Sequence, residues 1–289
     1  MKLFEKLLRR FHLLVQRNCG LFYSMKEAIK QFVPPVFLRL YLRRNTYGWF
    51  GDYPTWADAQ HECMGYDAAN ILEKCKNSLT KVKNGTAVYE RDSVLFDRIE
   101  YSWPVLAGLL RCAAENGGKL HVLDFGGSLG SSYFQNRFFL SSLQEFTWSI
   151  VEQKHFVACG KENFQDAVLK FYETIGLCMK ERKPNALLLS SVLQYLETPY
   201  ASLKQFLDLG VEYIIIDRTA FIEREKDLIT IQKVPPDIYE ASYPSWAFNE
   251  KKFTSFFSQK YDMITEFSSL DISNFDGMIF KFFLFRKKL

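Results

Sequence analysis

The sequence predicts an α/β fold: a mostly parallel sheet with helices on both faces, an antiparallel C-terminal edge and a helical cap ahead of it. Three observations carry this. From residue 119 onward, short apolar runs alternate with helix-length stretches, the pattern of βαβ units whose strands are buried on both faces. One run ends in an acid and opens into a glycine-rich turn, Asp124-Phe125-Gly126-Gly127-Ser128-Leu129-Gly130. The last two runs, Tyr261–Phe267 and Met278–Phe285, are joined by a loop holding Asn274 and Asp276-Gly277, as in a hairpin.

The parallel strands are expected at Leu120–Phe125, Thr147–Val151, Val168–Phe171, Ala186–Leu189 and Tyr213–Ile216. A helix over Asn249–Ser258 precedes the hairpin. Residues 46–118 read as mainly helical. Thr55 with Asp58 three residues on has the form of a helix start, and Asp67 caps a helix over Ala68–Lys83 that Asn84-Gly85 ends. A further helix runs through Leu106–Glu115 and stops at Asn116-Gly117-Gly118. Upstream, Leu3, Phe4, Leu7, Leu8, Phe11, Leu14 and Val15 recur at helical spacing over residues 2–17. Pro34-Pro35 ends a second short helix. The expected organisation is a basic amphipathic arm over 1–45, a helical cap over 46–118, and a Rossmann-like domain over 119–289.

A chain of 289 residues, 48% hydrophobic and 24% charged, can bury a large core and belongs to no disordered or fibrous class. Its net charge of +4 is uneven: residues 1–45 hold ten Lys or Arg against two acids, about +8, leaving about −4 for the rest. The basic residues therefore sit on the arm, where they suit an anionic membrane surface, and no nucleic-acid partner is expected. Lys6, Arg9 and Arg10 interrupt any signal-peptide core, and no run is long enough for a membrane span. The six cysteines show no CxxC spacing and the four histidines no cluster, so no metal is expected. Reduced thiols place the protein in the cytoplasm, with the arm holding it at the inner membrane.

The glycine turn carries the chemistry. In an open α/β sheet a ligand sits beyond the carboxyl ends of the strands. Gly126, Gly127 and Gly130 let the backbone approach it closely, with Ser128 among them, and the helix starting near Ser131 offers free amides. Glu152, about 22 residues past Gly130 at the end of the next strand, is placed to accept hydrogen bonds from ribose hydroxyls. Together these residues indicate an adenosine-containing cofactor. The turn lacks the G-x-G-x-x-G spacing of dinucleotide sites, and Asp124 would repel a pyrophosphate. Asp124 suits the amino group and sulfonium of S-adenosyl-L-methionine. A nicotinamide-type oxidoreductase, or a non-catalytic binding protein of the same fold, are the alternatives.

Longer blocks point the same way. These include Trp49-Phe50-Gly51-Asp52-Tyr53 with Trp56, Gly65-Tyr66-Asp67, Tyr89-Glu90-Arg91-Asp92-Ser93 and Tyr101-Ser102-Trp103-Pro104. They continue through Val151-Glu152-Gln153, Ser190-Ser191-Val192-Leu193-Gln194-Tyr195-Leu196, Ile216-Asp217-Arg218-Thr219 and Tyr243-Pro244. In this order, over residues 48–270, the chain resembles a family of class I methyltransferases associated with bacterial cell-surface polysaccharide gene clusters. The resemblance implies a Rossmann-like class I methyltransferase sheet and S-adenosyl-L-methionine as cofactor. It departs from the wider class at Ser128, where a glycine is usual.

Methyl transfer needs an aligned acceptor and, for a hydroxyl, a base. Similar small-molecule methyltransferases often carry a His after the fourth strand, where this chain has Gln194. Gln194 and Tyr195 are therefore candidates for orienting the acceptor. Asp217, at the end of the fifth strand, is the candidate base. Arg218 is a candidate clamp for an anionic acceptor, and Arg91 for the cofactor carboxylate. His155 is a lone histidine. Trp49, Tyr53, Trp56, Trp103 and Trp246 are candidates for stacking on a sugar. The expected substrate is a small molecule, a sugar or a lipid-linked glycan intermediate.

Overall fold

The computed structural model of the chain describes residues 46–64, 68–91, 93–96, 98, 102–236, 238, 240–269 and 271–288. The arm expected over 1–45, the helix cap at Asp67 and the block at 65–67 lie outside the described residues. Tyr47–Leu289 forms one compact unit.

The unit opens with strand β1 (Gly48–Tyr53) and helices α1 (Trp56–Glu62) and α2 (Ala68–Lys83). The short hairpin β2 (Tyr89–Arg91) and β3 (Val94–Phe96) follows, then helix α3 (Trp103–Glu115). The Thr55 hydroxyl caps α1 by accepting the Asp58 N–H. Helix α3 starts where Pro104 supplies a pre-set φ at the first turn. Its buried residues Val105, Leu106, Leu109, Cys112 and Ala113 recur at helical spacing and turn one stripe onto the sheet.

The central sheet then alternates with helices: β4 (Lys119–Phe125), α4 (Ser131–Leu140), β5 (Glu145–Val151), α5 (Lys154–Asn163), β6 (Leu169–Tyr172), α6 (Ile175–Glu181), β7 (Ala186–Ser190), a 3-10 turn at Leu193–Tyr195, α7 (Pro199–Asp208) and β8 (Tyr213–Ile222). Two more strands, β9 (Leu228–Val234) and β10 (Ala241–Asn249), precede helix α8 (Glu250–Ser255) and the closing pair β11 (Tyr261–Ser268) and β12 (Met278–Lys287).

Strands β6, β5, β4, β7 and β8 lie side by side and parallel. β12 enters antiparallel beside β8, and β11 pairs antiparallel with β12. This order, with β12 alone reversed, is the sheet of the Rossmann-like class I methyltransferase fold. Alternation along β8 shows how it is held. Tyr213 and Ile215 join the core under α3, α4 and α5, while Ile214 and Ile216 join the core with Leu203, Phe206 and Phe253 on the opposite face. At Gly160 the packing is tight: a Cβ there would lie 2.5 Å from the Phe171 ring.

The sheet forks at Arg218. Up to Asp217, β8 pairs with β7; at Phe221 and Ile222 the same edge pairs with β10 instead. Opposite, two residues, Asp217 and Arg218, face the step between Lys281 and Phe283 of β12, a bulge with Arg218 at φ 49. β10 carries β9, and β9 carries β1, both antiparallel. These three strands turn the sheet into a half-barrel over the carboxyl ends of the parallel strands.

Residues 46–118 are mainly helical, through α1, α2 and α3, although β1, β2 and β3 lie among them. One expectation is corrected. The fifth parallel strand does not stop at Ile216 but runs on to Ile222, because β10 and β12 supply partners beyond the fork. The strands β9 and β10 were not expected at all.

Candidate active site

The site begins at the end of β4. Gly126 turns the chain at φ 73 and donates its N–H to the Val151 carbonyl at 2.9 Å. A Cβ at Gly126 would stand 2.5 Å from Val192 Cγ2, and one at Gly127 would stand 2.5 Å from the Asp124 carboxylate. Both positions therefore need glycine for the turn to pass between strand ends. Gly130, at φ 109, forms the N-cap of α4.

Three carboxylates line a pocket around this turn, Asp124 and Glu152 at strand ends and Asp217 within β8 at the fork. Asp124 is buried, and the Trp148 indole donates to its Oδ2 at 3.0 Å. Burial raises its pKa to about 7; the indole bond opposes the rise and Glu152 adds to it. Glu152 is raised by burial, against hydrogen bonds from the Gln153 and Ser128 N–H groups and the charge of His155. Asp217 is also raised by burial, against a 2.7 Å hydrogen bond from the Ser190 hydroxyl, the Arg218 charge and the Ser102 hydroxyl at 3.5 Å. None of the three forms an ion pair with Lys or Arg among the described residues. Arg218 instead pairs with Asp271 at 2.9 Å. Burial pushes Asp271 up, but Arg218, the Ser269 hydroxyl and Arg91 bring it below the ordinary carboxylate range.

These groups share one pocket of about 830 Å³. Of the residues singled out in the sequence, Asp124, Gly126, Gly127, Ser128, Glu152, Arg91, Asp217, Arg218 and Tyr195 all line it. Trp49, Trp56 and Trp103 line it too. Four non-glycine residues have positive φ among the described residues: Ser93, Ser128, Ser191 and Arg218. All four line this pocket, the concentration of backbone strain that marks functional sites.

Other candidates lie elsewhere. Gln194 is fully buried and does not line the pocket; its Nε2 donates to the Ser191 hydroxyl at 3.2 Å and the Arg218 carbonyl at 3.1 Å. It ties two strand ends together and is corrected from an acceptor-orienting group to a positioning one. Gly130 sits behind the turn, where a Cβ would meet Ile150 and Leu169. Tyr53 donates to Glu62, and the Trp246 indole donates to the Leu196 carbonyl while its ring stacks with Trp56. His155 packs against Phe156, outside the pocket wall.

The pocket also holds residues that sequence reasoning missed. Glu90 is buried and accepts from the Ser93 N–H and the Ser131 hydroxyl, both at 2.6 Å. Its neighbour Arg91 drew attention as a charge beside aromatics, and the same block was the available signal for Glu90. Gln232 and Asp271 came from segments with no motif.

No family model matches the chain, and no curated protein matches it. Among solved structures, it is similar to the N-terminal domain of EvdMO1 in the presence of SAH and D-fucose, at 12% identity and TM-score 0.45 over 77% of this chain and 98% of that one. It is similar to magnesium protoporphyrin IX methyltransferase from Synechocystis PCC 6803 with bound SAM, at 12% identity and TM-score 0.43 over 78% and 87%. The N-methyltransferase NodS from Bradyrhizobium japonicum WM9 with S-adenosyl-L-homocysteine gives 10% identity and TM-score 0.43 over 73% and 99%. Two of these three are named methyltransferases, and all three hold SAM or SAH. The fold assignment above rests on strand order and direction.

Proposed function

We propose that the protein is an S-adenosyl-L-methionine-dependent methyltransferase that O-methylates a sugar or a lipid-linked glycan intermediate. The observation that carries the reading is the set Asp124, Glu152 and Asp217: three carboxylates, Asp124 and Asp217 buried and Glu152 half-buried, that line one glycine-floored pocket and form no ion pair with Lys or Arg among the described residues. Buried carboxylates fit a ligand that brings positive charge and repel a pyrophosphate. The residues fit the group: Gly126 and Gly127 leave room for close approach, and Glu152 would take ribose hydroxyls. Arg91 would hold the amino-acid carboxylate, with Ser128 at the turn.

When bound, the cofactor supplies an electrophilic methyl on a sulfonium. The chain's own part is to desolvate and align the acceptor and remove its proton. Asp217 is the candidate base. Its carboxylate is held in place by the Ser190 hydroxyl, and burial raises its proton affinity toward the working range of a base. Tyr195 helps orient the acceptor. Gln194 acts through the Ser191 hydroxyl and the Arg218 carbonyl. Calorimetry with S-adenosyl-L-methionine and with NAD tests the reading. Micromolar binding of the former alone is expected, and binding of NAD alone would replace it with an oxidoreductase. A protein that binds S-adenosyl-L-methionine yet yields no S-adenosyl-L-homocysteine with any cell-envelope acceptor would be a non-catalytic relative.

Among the described residues no helix is long and apolar enough to cross a membrane. The basic segment 2–17 is proposed to hold the cytoplasmic enzyme at an anionic membrane surface. Deleting it should release the protein from phosphatidylglycerol vesicles, and retained binding would refute that assignment.

A further inference from the structure

The pocket has a second wall, made by the three strands beyond the fork. Trp49 on β1 pairs directly with Gln232 on β9, and Gln232 pairs with Tyr243 on β10. Residues opposite one another across antiparallel strands point to the same face, and all three line the pocket. The Tyr195 hydroxyl donates to Gln232 Oε1 at 2.7 Å, and its ring meets Tyr243 edge-on at 5.2 Å. That bond fixes the amide plane and leaves the Nε2 hydrogens as donors. Among the described residues Gln232 Nε2 donates to nothing, and the buried Trp49 Nε1–H has no partner either. Gln232 is half-buried and lines the pocket, so its fixed amide offers donors between aromatic rings, a surface shaped for ligand oxygens.

We infer that this rung is the acceptor subsite and that it takes a polyhydroxylated six-membered ring. The ring lies against the aromatic side chains, Trp49 among them, and one of its oxygens accepts from Gln232 Nε2. A purely apolar ring would bury that donor unsatisfied, a discrimination that hydrogen-bonding sites make strongly. Gln232 is the specificity-determining residue. Calling the bound ring an acceptor rests on the methyl-transfer reading; the subsite itself does not.

The test uses the full chain with ¹⁵N-labelled indoles. The chain has five tryptophans, and Trp49→Phe assigns the Trp49 signal. The probes are the methyl glycosides of glucose, galactose and mannose, with benzyl alcohol as the apolar ring. At least one glycoside should shift the Trp49 Nε1–H resonance, and benzyl alcohol should bind at least tenfold more weakly. Gln232→Leu should weaken glycoside binding about tenfold. Gln232→Glu should do the same, because it keeps an acceptor for the Tyr195 hydroxyl and replaces the donors with a carboxylate oxygen. Both variants should bind S-adenosyl-L-homocysteine, measured by calorimetry, within twofold of wild type. A Trp49 signal unmoved by every glycoside, or full glycoside affinity in Gln232→Glu, would overturn the subsite while leaving the methyl-donor reading intact. Glycoside binding that depends on Gln232 in a protein that ignores S-adenosyl-L-homocysteine would keep the subsite and sink the methyl-donor reading.

Discussion

Replacing Asp124 by Asn should make the ligand-free protein more stable above neutral pH, and the structure sets the size of the gain. Burial lifts this carboxyl from an ordinary 3.8 to about 7. In the unfolded chain it ionises at its ordinary value. Between the two values the folded protein holds a proton that the unfolded chain has released. The contribution to stability is therefore complete below about 3.8, declines as pH rises, and is gone above about 7. At about 1.36 kcal/mol for each pH unit, that separation comes to roughly 4 kcal/mol. Asn carries no charge at any pH and still offers Oδ1 to the Trp148 indole. Guanidinium unfolding followed by tryptophan fluorescence, at steps from about pH 4 to about pH 8, gives both stability curves. Wild type should lose roughly 4 kcal/mol relative to Asp124→Asn across that range. Asp217 and Glu152 are present in both proteins, so the difference reports Asp124 together with its coupling to Glu152. Parallel curves would refute the buried, proton-holding carboxyl.

Other substitutions probe separate parts of the site. Gly126→Val places a branched side chain where a single Cβ already meets Val192 at 2.5 Å; binding of S-adenosyl-L-methionine should disappear from a protein whose circular dichroism is unchanged, and unaltered affinity would remove the turn from the site. Asp217→Asn should leave that binding in place and lower turnover by about a hundredfold or more. Because burial raises Asp217 and a base must be ionised, wild-type turnover should climb with pH through a value above the usual carboxylate range, and the variant should lose that limb. Gly160→Ala drives a methyl into the buried Phe171 ring and should cost about 1–3 kcal/mol in chemical denaturation; a neutral result would mean α5 can slide on the sheet.

The parallel sheet was legible because its strands are buried on both faces. Ala186–Ser190 and Tyr213–Ile216 are apolar at nearly every position, and such runs need no knowledge of their neighbours to be recognised. The glycine turn was legible for a similar reason, since its steric demands are local. The half-barrel wall was not. β10 contains Pro244 and β1 contains Gly48 and Gly51, residues that ordinarily argue against strands. Their polar positions, Gln232 and Ser242 among them, face a pocket whose existence depends on pairing across more than 180 residues. Gln194 misled for a geometric reason. The 3-10 turn Leu193–Tyr195 sends two adjacent side chains in different directions, Tyr195 to the pocket and Gln194 beneath it. Sequence position at a strand end cannot separate the two.

The side chain of Asn274 holds Trp49 by both backbone groups, accepting from its N–H at 2.7 Å and donating to its carbonyl at 3.1 Å. The two residues are 225 positions apart. This clasp can close only once the loop before β12 has been synthesised, and its span makes it a costly loop to close. The first strand of the compact unit is thus held by a residue from near the far end of that unit. A chain cut short before residue 274 would lose the clasp across the front together with β12, the strand that pairs with β8 and β11.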